Sequence, residues 1–251
     1  MSRSEAAVTL SLADTKLFLS LVEVLSSLAE EVAFEISQEG SMKVVAMDPA
    51  KVAMIDFQLS QDGFLEFSAF RSLTLGISTR NLSLAMEDVK RTNRITIKGD
   101  EENIEFVIEG IPRRIFRFRN LEISLEEIPK IELEFPGKAS VLPDPLSGAI
   151  ADLSSISNYI TFKLDQNVLE LRDSDTGKRS IRLSRETGSL LDVSVGEEIS
   201  VDFDSSYLSP IAKLIKVSSS VEVYMGSGMP LKMEMQTPLG GKIVFYLAPR
   251  V

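Results

Sequence analysis

The chain has 251 residues and a formal net charge of -10, with 27 Lys and Arg against 37 Asp and Glu. It contains no His, Cys or Trp, which excludes catalysis by His or Cys, disulfides, and the usual zinc, haem and iron–sulfur sites. The hydrophobic fraction of 44% is sufficient for one large or two ordinary folded domains.

Four segments have the spacing or the capping residues of helices. Over residues 14–31 leucines recur at helical intervals, and Asp14 is the candidate N-cap. Further helices are predicted from Ser78 or Thr79 to about Arg91, from Pro145 to Ser157, and from Asp204 to Val217. Each starts at a residue type that favours a helix N-terminus.

Between these helices, apolar residues alternate with polar ones at a period of two, which predicts many short antiparallel strands. Turn-forming residues separate the strands at Gln38–Gly40, Lys98–Asp100, Asp175–Gly177 and Leu239–Gly241. Four helices with many short strands predict an α+β fold in which two helices of each domain pack on antiparallel sheet.

One apolar pattern occurs twice along the chain. Residues 25–36 (LSSLAEEVAFEI) align without gaps on residues 153–164 (LSSISNYITFKL). With slips of one and two residues the match continues, pairing Asp48 with Asp175 and Lys90 with Lys216. The nearly constant offset predicts two copies of one domain, at 1–118 and 136–251. Residues 119–135 match neither copy and are predicted to form an extended surface connector.

Short motifs give little support for catalysis or metal binding. Asp173-Ser-Asp175-Thr-Gly177 has the first half of a calcium loop, but the later bidentate Glu is missing, and a hairpin turn is the better interpretation. The methionines at 225, 229, 233 and 235 alternate as in strands and are predicted to fill the core. We therefore expect a binding or scaffold protein with no catalytic residues, metal or cofactor.

The sequence contains no run of about 18 apolar residues and no signal-peptide pattern at its start. We expect a cytoplasmic protein.

Four further blocks are distinctive: residues 40–57 (GSMKVVAMDPAKVAMIDF), residues 120–129 (NLEISLEEIP), Met229–Leu231, and the terminal Tyr246-Leu-Ala-Pro-Arg-Val251. They resemble the sliding clamp family of proliferating cell nuclear antigen (PCNA). The resemblance covers essentially the whole chain, and the short C-terminal ending is similar to archaeal members.

The resemblance implies a ring of three subunits, with helices lining a central hole and sheets outside. It implies a processivity factor that encircles duplex DNA without reading sequence and tethers DNA polymerase, flap nuclease and DNA ligase in replication and repair. A clamp loader driven by ATP would place the ring on DNA. The clamp itself would need no cofactor and would not be an enzyme.

The resemblance also implies a pocket beneath the connector, into which partner proteins insert a short hydrophobic helix. By motif match its lining residues are Met47, Val52, Leu125, Ile128, Pro230, Tyr246, Ala248 and Pro249. For Leu125 and Ile128 the functional role is favoured, because an extended acidic connector has little other reason to display apolar side chains. Val52 and Tyr246 also fit an ordinary core role.

The helices expected to face DNA carry little positive charge. Over their predicted bounds their charges are -3, +1, -1 and +1, which together give -2. DNA contact is then expected from few residues, namely Lys16, Arg80, Lys90, Arg91, Lys213 and Lys216. An equally good interpretation is that some of these side chains only face solvent. Two alternatives stay open: a clamp-like scaffold with little DNA contact of its own, and an enzyme that uses carboxylates.

Basic residues concentrate instead in residues 113–119 (RRIFRFR) and 178–185 (KRSIRLSR). By the resemblance, these edge strands pair between neighbouring subunits, with interface residues Arg114, Phe116, Arg117, Arg179 and Ile181. Two basic strands would place like charges across the ladder unless carboxylates intervene. We therefore favour a heterotrimer, with neighbours that supply acidic edges, over a homotrimer.

Overall fold

The computed structural model describes residues 6–123 and 133–250, which contain four α-helices, eighteen strands and one 3₁₀ turn at Gln61–Gly63. The helices are α1 (Thr15–Leu28), α2 (Thr79–Met86), α3 (Pro143–Ser154) and α4 (Ser205–Val217). The strands before the connector are β1 (Val8–Leu12), β2 (Glu31–Ser37), β3 (Ser41–Met47), β4 (Ala53–Ser60), β5 (Phe64–Ala69), β6 (Leu73–Ser78), β7 (Arg94–Gly99), β8 (Asn103–Glu109) and β9 (Arg114–Arg119). Those after it are β10 (Gly137–Val141), β11 (Tyr159–Leu164), β12 (Val168–Asp173), β13 (Ser180–Ser184), β14 (Leu190–Val195), β15 (Ile199–Asp204), β16 (Ser220–Met225), β17 (Leu231–Gln236) and β18 (Gly241–Leu247).

Two compact units divide the chain, and neither is continuous in the sequence. The first comprises residues 1–47, 56–127 and 239–242, and the second comprises residues 48–55, 128–238 and 243–251. Each unit has two helices and antiparallel strands, which confirms the predicted α+β class. The domain limits drawn from the repeat, 1–118, 119–135 and 136–251, stay predictions.

The first unit contains a five-stranded sheet of order β5-β1-β7-β8-β9 and the neighbouring strands β3-β2-β6. Alternate residues of these strands face a core that includes Leu10, Phe34 and Phe106. Helix α1 buries its leucine face, and its start is the predicted one, since Asp14 Oδ1 accepts a hydrogen bond from the amide of Leu17 at 3.0 Å.

The second unit contains a four-stranded sheet of order β13-β12-β11-β15 and the neighbouring strands β14-β10-β16-β17. Phe162 and Phe203 are fully buried and meet edge to face at 5.6 Å between ring centroids. Helices α3 and α4 are joined by a hydrogen bond from Ser147 Oγ to the carbonyl of Ala212 at 2.7 Å. Asp204 caps α4 as predicted, with its carboxylate accepting the amide of Ser206 at 2.8 Å.

Three of the four predicted helix ranges are wrong at one end or at both ends. Helix α1 stops at Leu28, because residues from 31 onward form β2. Helix α2 stops at Met86 instead of about Arg91. The Asn93 side chain accepts the amide of Lys90 at 2.8 Å and donates to the carbonyl of Glu109 at 3.1 Å. A turn closed by an Asn side chain thus competes with further helix.

Helix α3 covers residues 143–154, two residues earlier at its start than predicted and three earlier at its end. Proline at the first helical position requires no amide donor, so Pro143 is a favourable start. At the other end, Ser157 Oγ donates to the carbonyl of Tyr159 at 2.6 Å, which turns the chain toward β11.

The segment that looked like half of a calcium loop is a turn between β12 and β13, as predicted. The buried Asp173 carboxylate accepts the amides of Asp175 at 2.9 Å and Thr176 at 3.2 Å, together with a short hydrogen bond from the Thr176 hydroxyl. The Thr176 hydroxyl first, and then the Ser157 hydroxyl and the two amides, lower the pKa of Asp173 to about 2. Across residues 6–123 and 133–250, no group of three or more acidic side chains is arranged to hold a metal ion.

Two smaller predictions need correction. The methionines at 225, 233 and 235 are fully buried strand residues, as expected, but Met229 is half-buried in the turn between β16 and β17. The turn after β7 covers residues 100–102 and not Lys98–Asp100, because Asp100 Oδ1 accepts the amides of Glu102 and Asn103. None of the helices described is long and apolar enough to cross a membrane.

Candidate functional site

The start of the connector lies against β6 of the first unit. The Asn120 side chain accepts the amide of Gly76 at 2.8 Å and donates to the carbonyls of Thr74 and Asp100 at 3.1 and 2.9 Å. The amide of Leu121 donates to the Gly76 carbonyl at 2.8 Å. A Cβ at Gly76 would lie 2.1 Å from the Leu121 carbonyl oxygen, so glycine permits this close approach. Two predicted pocket residues, Leu125 and Ile128, lie outside the described residues.

The described pocket residues of the second unit share one property: each has an apolar or aromatic side chain that is only half-buried. They are Val52, Pro230, Tyr246, Ala248 and Pro249. Met47, at the end of β3 in the first unit, is half-buried too. Partial exposure of apolar side chains is what a surface that receives a hydrophobic peptide requires.

The last residues of the chain are fixed at two points of the second unit. The amide of Ala248 donates to the carbonyl of Val52 at 2.8 Å, and the amide of Arg250 donates to the carbonyl of Asp202 at 2.8 Å. The Arg250 guanidinium also lies 4.0 Å from the ring centroid of Tyr159. Pro249 is therefore held between two anchored neighbours, beside the loop that carries Val52.

Tyr246 lies beside a set of charged and aromatic side chains on the outer face of the second unit's strands. Lys232 Nζ lies 6.0 Å from the ring centroid of Tyr246 and 4.7 Å from that of Tyr224, and it pairs with Glu234 at 2.6 Å. Burial, and then a hydrogen bond to Glu222, raise the pKa of Tyr224 to about 12. These contacts lie on one side of Tyr246, whose side chain is half-buried.

Loop 48–53, which carries Val52, is built around one buried carboxylate. Asp48 Oδ1 accepts the amides of Val52 at 2.7 Å and Ala53 at 2.6 Å. Its Oδ2 accepts the amide of Ala50 at 3.0 Å and the hydroxyl of Tyr207, in the first turn of α4, at 3.1 Å. Sequence reasoning missed Tyr207, because nothing local indicates a bond between residues 159 positions apart.

The repeat alignment pairs Asp48 with Asp175, and that pairing stays a prediction. In the second unit the turn after β12 is closed by the Asp173 carboxylate, which accepts the amides of Asp175 and Thr176. Asp175 instead accepts the backbone amide of Asn158 at 2.8 Å.

Few basic side chains lie on the helices. In the first unit Lys16 is half-buried on α1 and Arg80 is exposed on α2. Lys90 and Arg91 are exposed, but they lie in the turn after α2 and not on the helix as predicted. Lys90 is therefore not placed like Lys216, which lies in the last turn of α4.

In the second unit Lys213 and Lys216 are exposed on α4, whereas α3 has no Lys or Arg and carries Asp144 and Asp152. Lys16 is offset by Glu23 on α1, and Arg80 is the one charged residue of α2. Within the observed bounds the four helices carry a net charge of +1, not the -2 obtained from the predicted bounds.

The two basic segments form strands at sheet edges, β9 in the first unit and β13 in the second. Arg117 lies opposite Glu105 in the register and pairs with it at 2.6 Å, and Arg182 lies opposite Glu170 and pairs with it at 3.5 Å. Carboxylates thus intervene on both edges, which weakens the like-charge argument for unlike neighbours.

The remaining predicted interface residues are distributed along or beside these two edge strands. Arg114 donates to the carbonyl of Asp88 at 2.8 Å. Phe116 is half-buried and stacks on Phe118 at 6.5 Å between ring centroids. Ile181 is half-buried in β13, whereas Arg179 is exposed just before that strand. The half-buried aromatic and aliphatic side chains leave apolar surface at both edges.

A duplicated α+β protein with helices in each half, open basic edge strands and a partly exposed apolar surface has the features of a clamp-type scaffold. The sequence model of the PCNA N-terminal domain matches residues 8–129, and that of the PCNA C-terminal domain matches residues 144–250. The chain belongs to the proliferating cell nuclear antigen family.

Similar proteins include archaeal clamps over nearly their full length. The DNA polymerase sliding clamp of Thermococcus onnurineus is 33% identical over 236 residues, which cover 93% of this chain and 94% of that protein. The DNA polymerase sliding clamp of Pyrococcus furiosus is 32% identical over 238 residues, 94% of this chain and 95% of that protein. A chain from the crystal structure of the PCNA2-PCNA3 complex of Sulfolobus tokodaii is 29% identical, with a TM-score of 0.88, covering 96% of this chain and 99% of that one.

Proposed function

We propose that this chain is a subunit of a DNA sliding clamp, a processivity factor that encircles duplex DNA and tethers replication and repair enzymes. The observation that carries the proposal is the match of both PCNA domains, which together span almost the whole chain. A closed ring stays on DNA by topology, so it needs no sequence readout and no reaction of its own. Tethering raises the effective concentration of each bound enzyme near its substrate. We expect it to act in the cytoplasm of an archaeal cell, loaded onto DNA by a clamp loader.

The DNA-facing residues that we propose are few. Lys213 and Lys216 project from α4, while Lys16 and Arg80 project from α1 and α2. Lys90 and Arg91 would reach the phosphates from the turn that follows α2. These contacts are directed at the DNA backbone, so they permit sliding and make binding sensitive to salt.

The ring that we propose has three clamp subunits joined through β9 of one subunit and β13 of the next, with Arg114, Phe116, Arg117, Arg179 and Ile181 at the contact. An antiparallel ladder between these edges would cover their half-buried apolar side chains. Because Glu105 and Glu170 offset the central arginines, charge alone is compatible with three copies of this chain as well as with unlike neighbours.

The partner site that we propose is the half-buried apolar surface of the second unit at Val52, Pro230, Tyr246, Ala248 and Pro249. The motif match also assigns Met47, Leu125 and Ile128 to it, and the last two lie outside the described residues. A short amphipathic helix from DNA polymerase, flap nuclease or DNA ligase would place its apolar face there. The anchored backbone on both sides of Pro249 supports this assignment, since a preorganised surface loses less entropy on binding.

Substitutions in the pocket test this role. Pro249→Ala and Ile128→Ala should each weaken binding of a synthetic peptide of about 12 residues, with apolar side chains at i, i+3 and i+4, by roughly tenfold. Isothermal titration calorimetry measures the affinity. Pro238→Ala and Ile156→Ala are matched controls, because both residues are exposed elsewhere in the second unit. Unchanged affinity in both pocket variants, with thermal stability preserved, would contradict the proposed site.

A further inference from the structure

The loop that presents Val52 to the proposed pocket has a conformation that its own residues do not favour. Lys51 has a φ of 58°, in the left-handed region that side chains other than glycine rarely adopt. The loop also contains no glycine. A backbone of this kind persists when surrounding contacts determine it, so the hydrogen bonds to Asp48 are the relevant support.

Asp48 receives four hydrogen bonds, and one of them comes from outside the loop. The amides of Ala50, Val52 and Ala53 fix three points of the backbone around the carboxylate. Tyr207 supplies the fourth donor, from the first turn of α4, to the same oxygen that accepts the amide of Ala50. Tyr207 thus limits how the carboxylate can rotate.

The tyrosine is suited to this role because both partners are shielded from water. Asp48 is 5% exposed and Tyr207 is half-buried. Burial and the nearby Asp48 charge raise the pKa of Tyr207, so its hydroxyl stays protonated and keeps donating at neutral pH. A hydrogen bond to a buried carboxylate is stronger than one between neutral groups.

The loop is connected directly to the rest of the proposed pocket. The carbonyl of Val52 accepts the amide of Ala248, which precedes Pro249. A shift of the loop backbone at Val52 would therefore displace Ala248 and Pro249 as well. The position of the Asp48 carboxylate therefore affects both loop 48–53 and the Ala248–Pro249 segment.

We infer that Tyr207 and Asp48 form a positioning pair that holds loop 48–53 and the Ala248–Pro249 segment in the shape that binds partner peptides. Neither residue needs to touch the peptide. Tyr207 acts through Asp48, and Asp48 acts through the backbone amides of the loop. This inference rests on the proposed function, since it names positioning residues for the same peptide site.

Tyr207→Phe removes one hydroxyl and leaves the ring packing in place. We expect the affinity for the synthetic helical peptide to fall by about 3- to 10-fold, less than the roughly tenfold or more for direct loss of a hydrogen bond to a charged group, because Tyr207 acts through Asp48. Ser218→Ala is the matched control, because it also removes one hydroxyl hydrogen bond, to the carbonyl of Leu214 at 2.8 Å, but at the other end of α4. The control should leave the affinity unchanged.

A double-mutant cycle separates positioning from general destabilisation. Asp48→Asn keeps the shape of the side chain but replaces one acceptor oxygen by a donor, so we expect a loss of about tenfold or more. If Tyr207 acts through Asp48, adding Tyr207→Phe to Asp48→Asn should cost little more. Fully additive losses would contradict the inference, because the two residues would then act independently.

Hydrogen exchange of the protein without peptide gives a readout that does not depend on the proposed function. Tyr207→Phe should speed exchange at the amides of Ala50, Val52 and Ala53, whereas amides in β11 and β12 should be unaffected. If the unaltered chain fails to bind the peptide, the proposed site is wrong, and the exchange rates still test the pair. Unchanged exchange in the loop, or unchanged affinity when the unaltered chain does bind, would overturn the inference.

Discussion

Two buried carboxylates close turns, Asp48 just after β3 and Asp173 at the end of β12, but they obtain their hydrogen-bond donors differently. The Asp173 carboxylate accepts hydrogen bonds from the amides of Asp175 and Thr176 and from the Thr176 hydroxyl, all in its own turn, and the hydroxyl of Ser157 also lowers its pKa. Asp48 binds its own loop and also Tyr207 of a distant helix. The backbone of the turn at Asp173 is therefore held mainly by neighbours in sequence, while the loop at Asp48 also depends on Tyr207 of α4. The dependent loop is the one beside the proposed partner site.

The largest expected difference between the two turns is in stability. Asp48→Ala would leave three amides and the Tyr207 hydroxyl without an acceptor, and Ala53 is buried, so we expect a loss of about 2–4 kcal/mol in the free energy of unfolding. Asp173→Ala should cost less, because Asp175 and Thr176 are exposed and water can replace the carboxylate. Urea unfolding of both variants measures the difference. Equal losses would contradict the expected contrast between the two turns.

A smaller effect on stability is expected in the acid range, at the Asp173 turn. The pKa of Asp173 is lowered to about 2. Because the folded value lies below the ordinary value, its stabilising contribution is fully present above about pH 4 and is lost as the pH falls through about 2. Thr176→Val removes the largest cause of the lowered pKa, so the variant should lose less stability than the unaltered chain between pH 4 and 2. Melting temperatures at pH 5, 3 and 2 measure this, and identical acid dependence would show that the hydroxyl does not set the pKa.

Features fixed by neighbours in sequence could be predicted, and those fixed by distant contacts could not. Asp14 and Asp204 cap their helices through residues two or three positions away, and both starts were predicted correctly. The end of α2 was not, because Asn93 closes its turn partly against Glu109 of another strand.

The same limit applies to the candidate site. The half-buried apolar residues near the C-terminus were found through their resemblance to a family, since their sequence spacing alone gives no pattern. The positioning role of Tyr207 gives no local signal at all. The carboxylates opposite Arg117 and Arg182 follow from strand register, which is known only once β8–β9 and β12–β13 are paired. The observed strand register therefore weakens the like-charge argument for a heterotrimer.

The central claim, that the chain acts as part of a ring around DNA, is tested most directly by retention on circular and linear DNA. Light scattering first shows whether the chain alone has a trimeric mass, and neighbouring subunits are added if it does not. The clamp is then loaded onto nicked circular DNA by a clamp loader and passed through a sizing column in high salt, which removes backbone contacts. We predict that it stays on the circles and is lost once a single cut linearises them. Equal retention on both forms, or none on circles with a functional loader, would contradict a DNA-encircling role and favour a scaffold with little DNA contact.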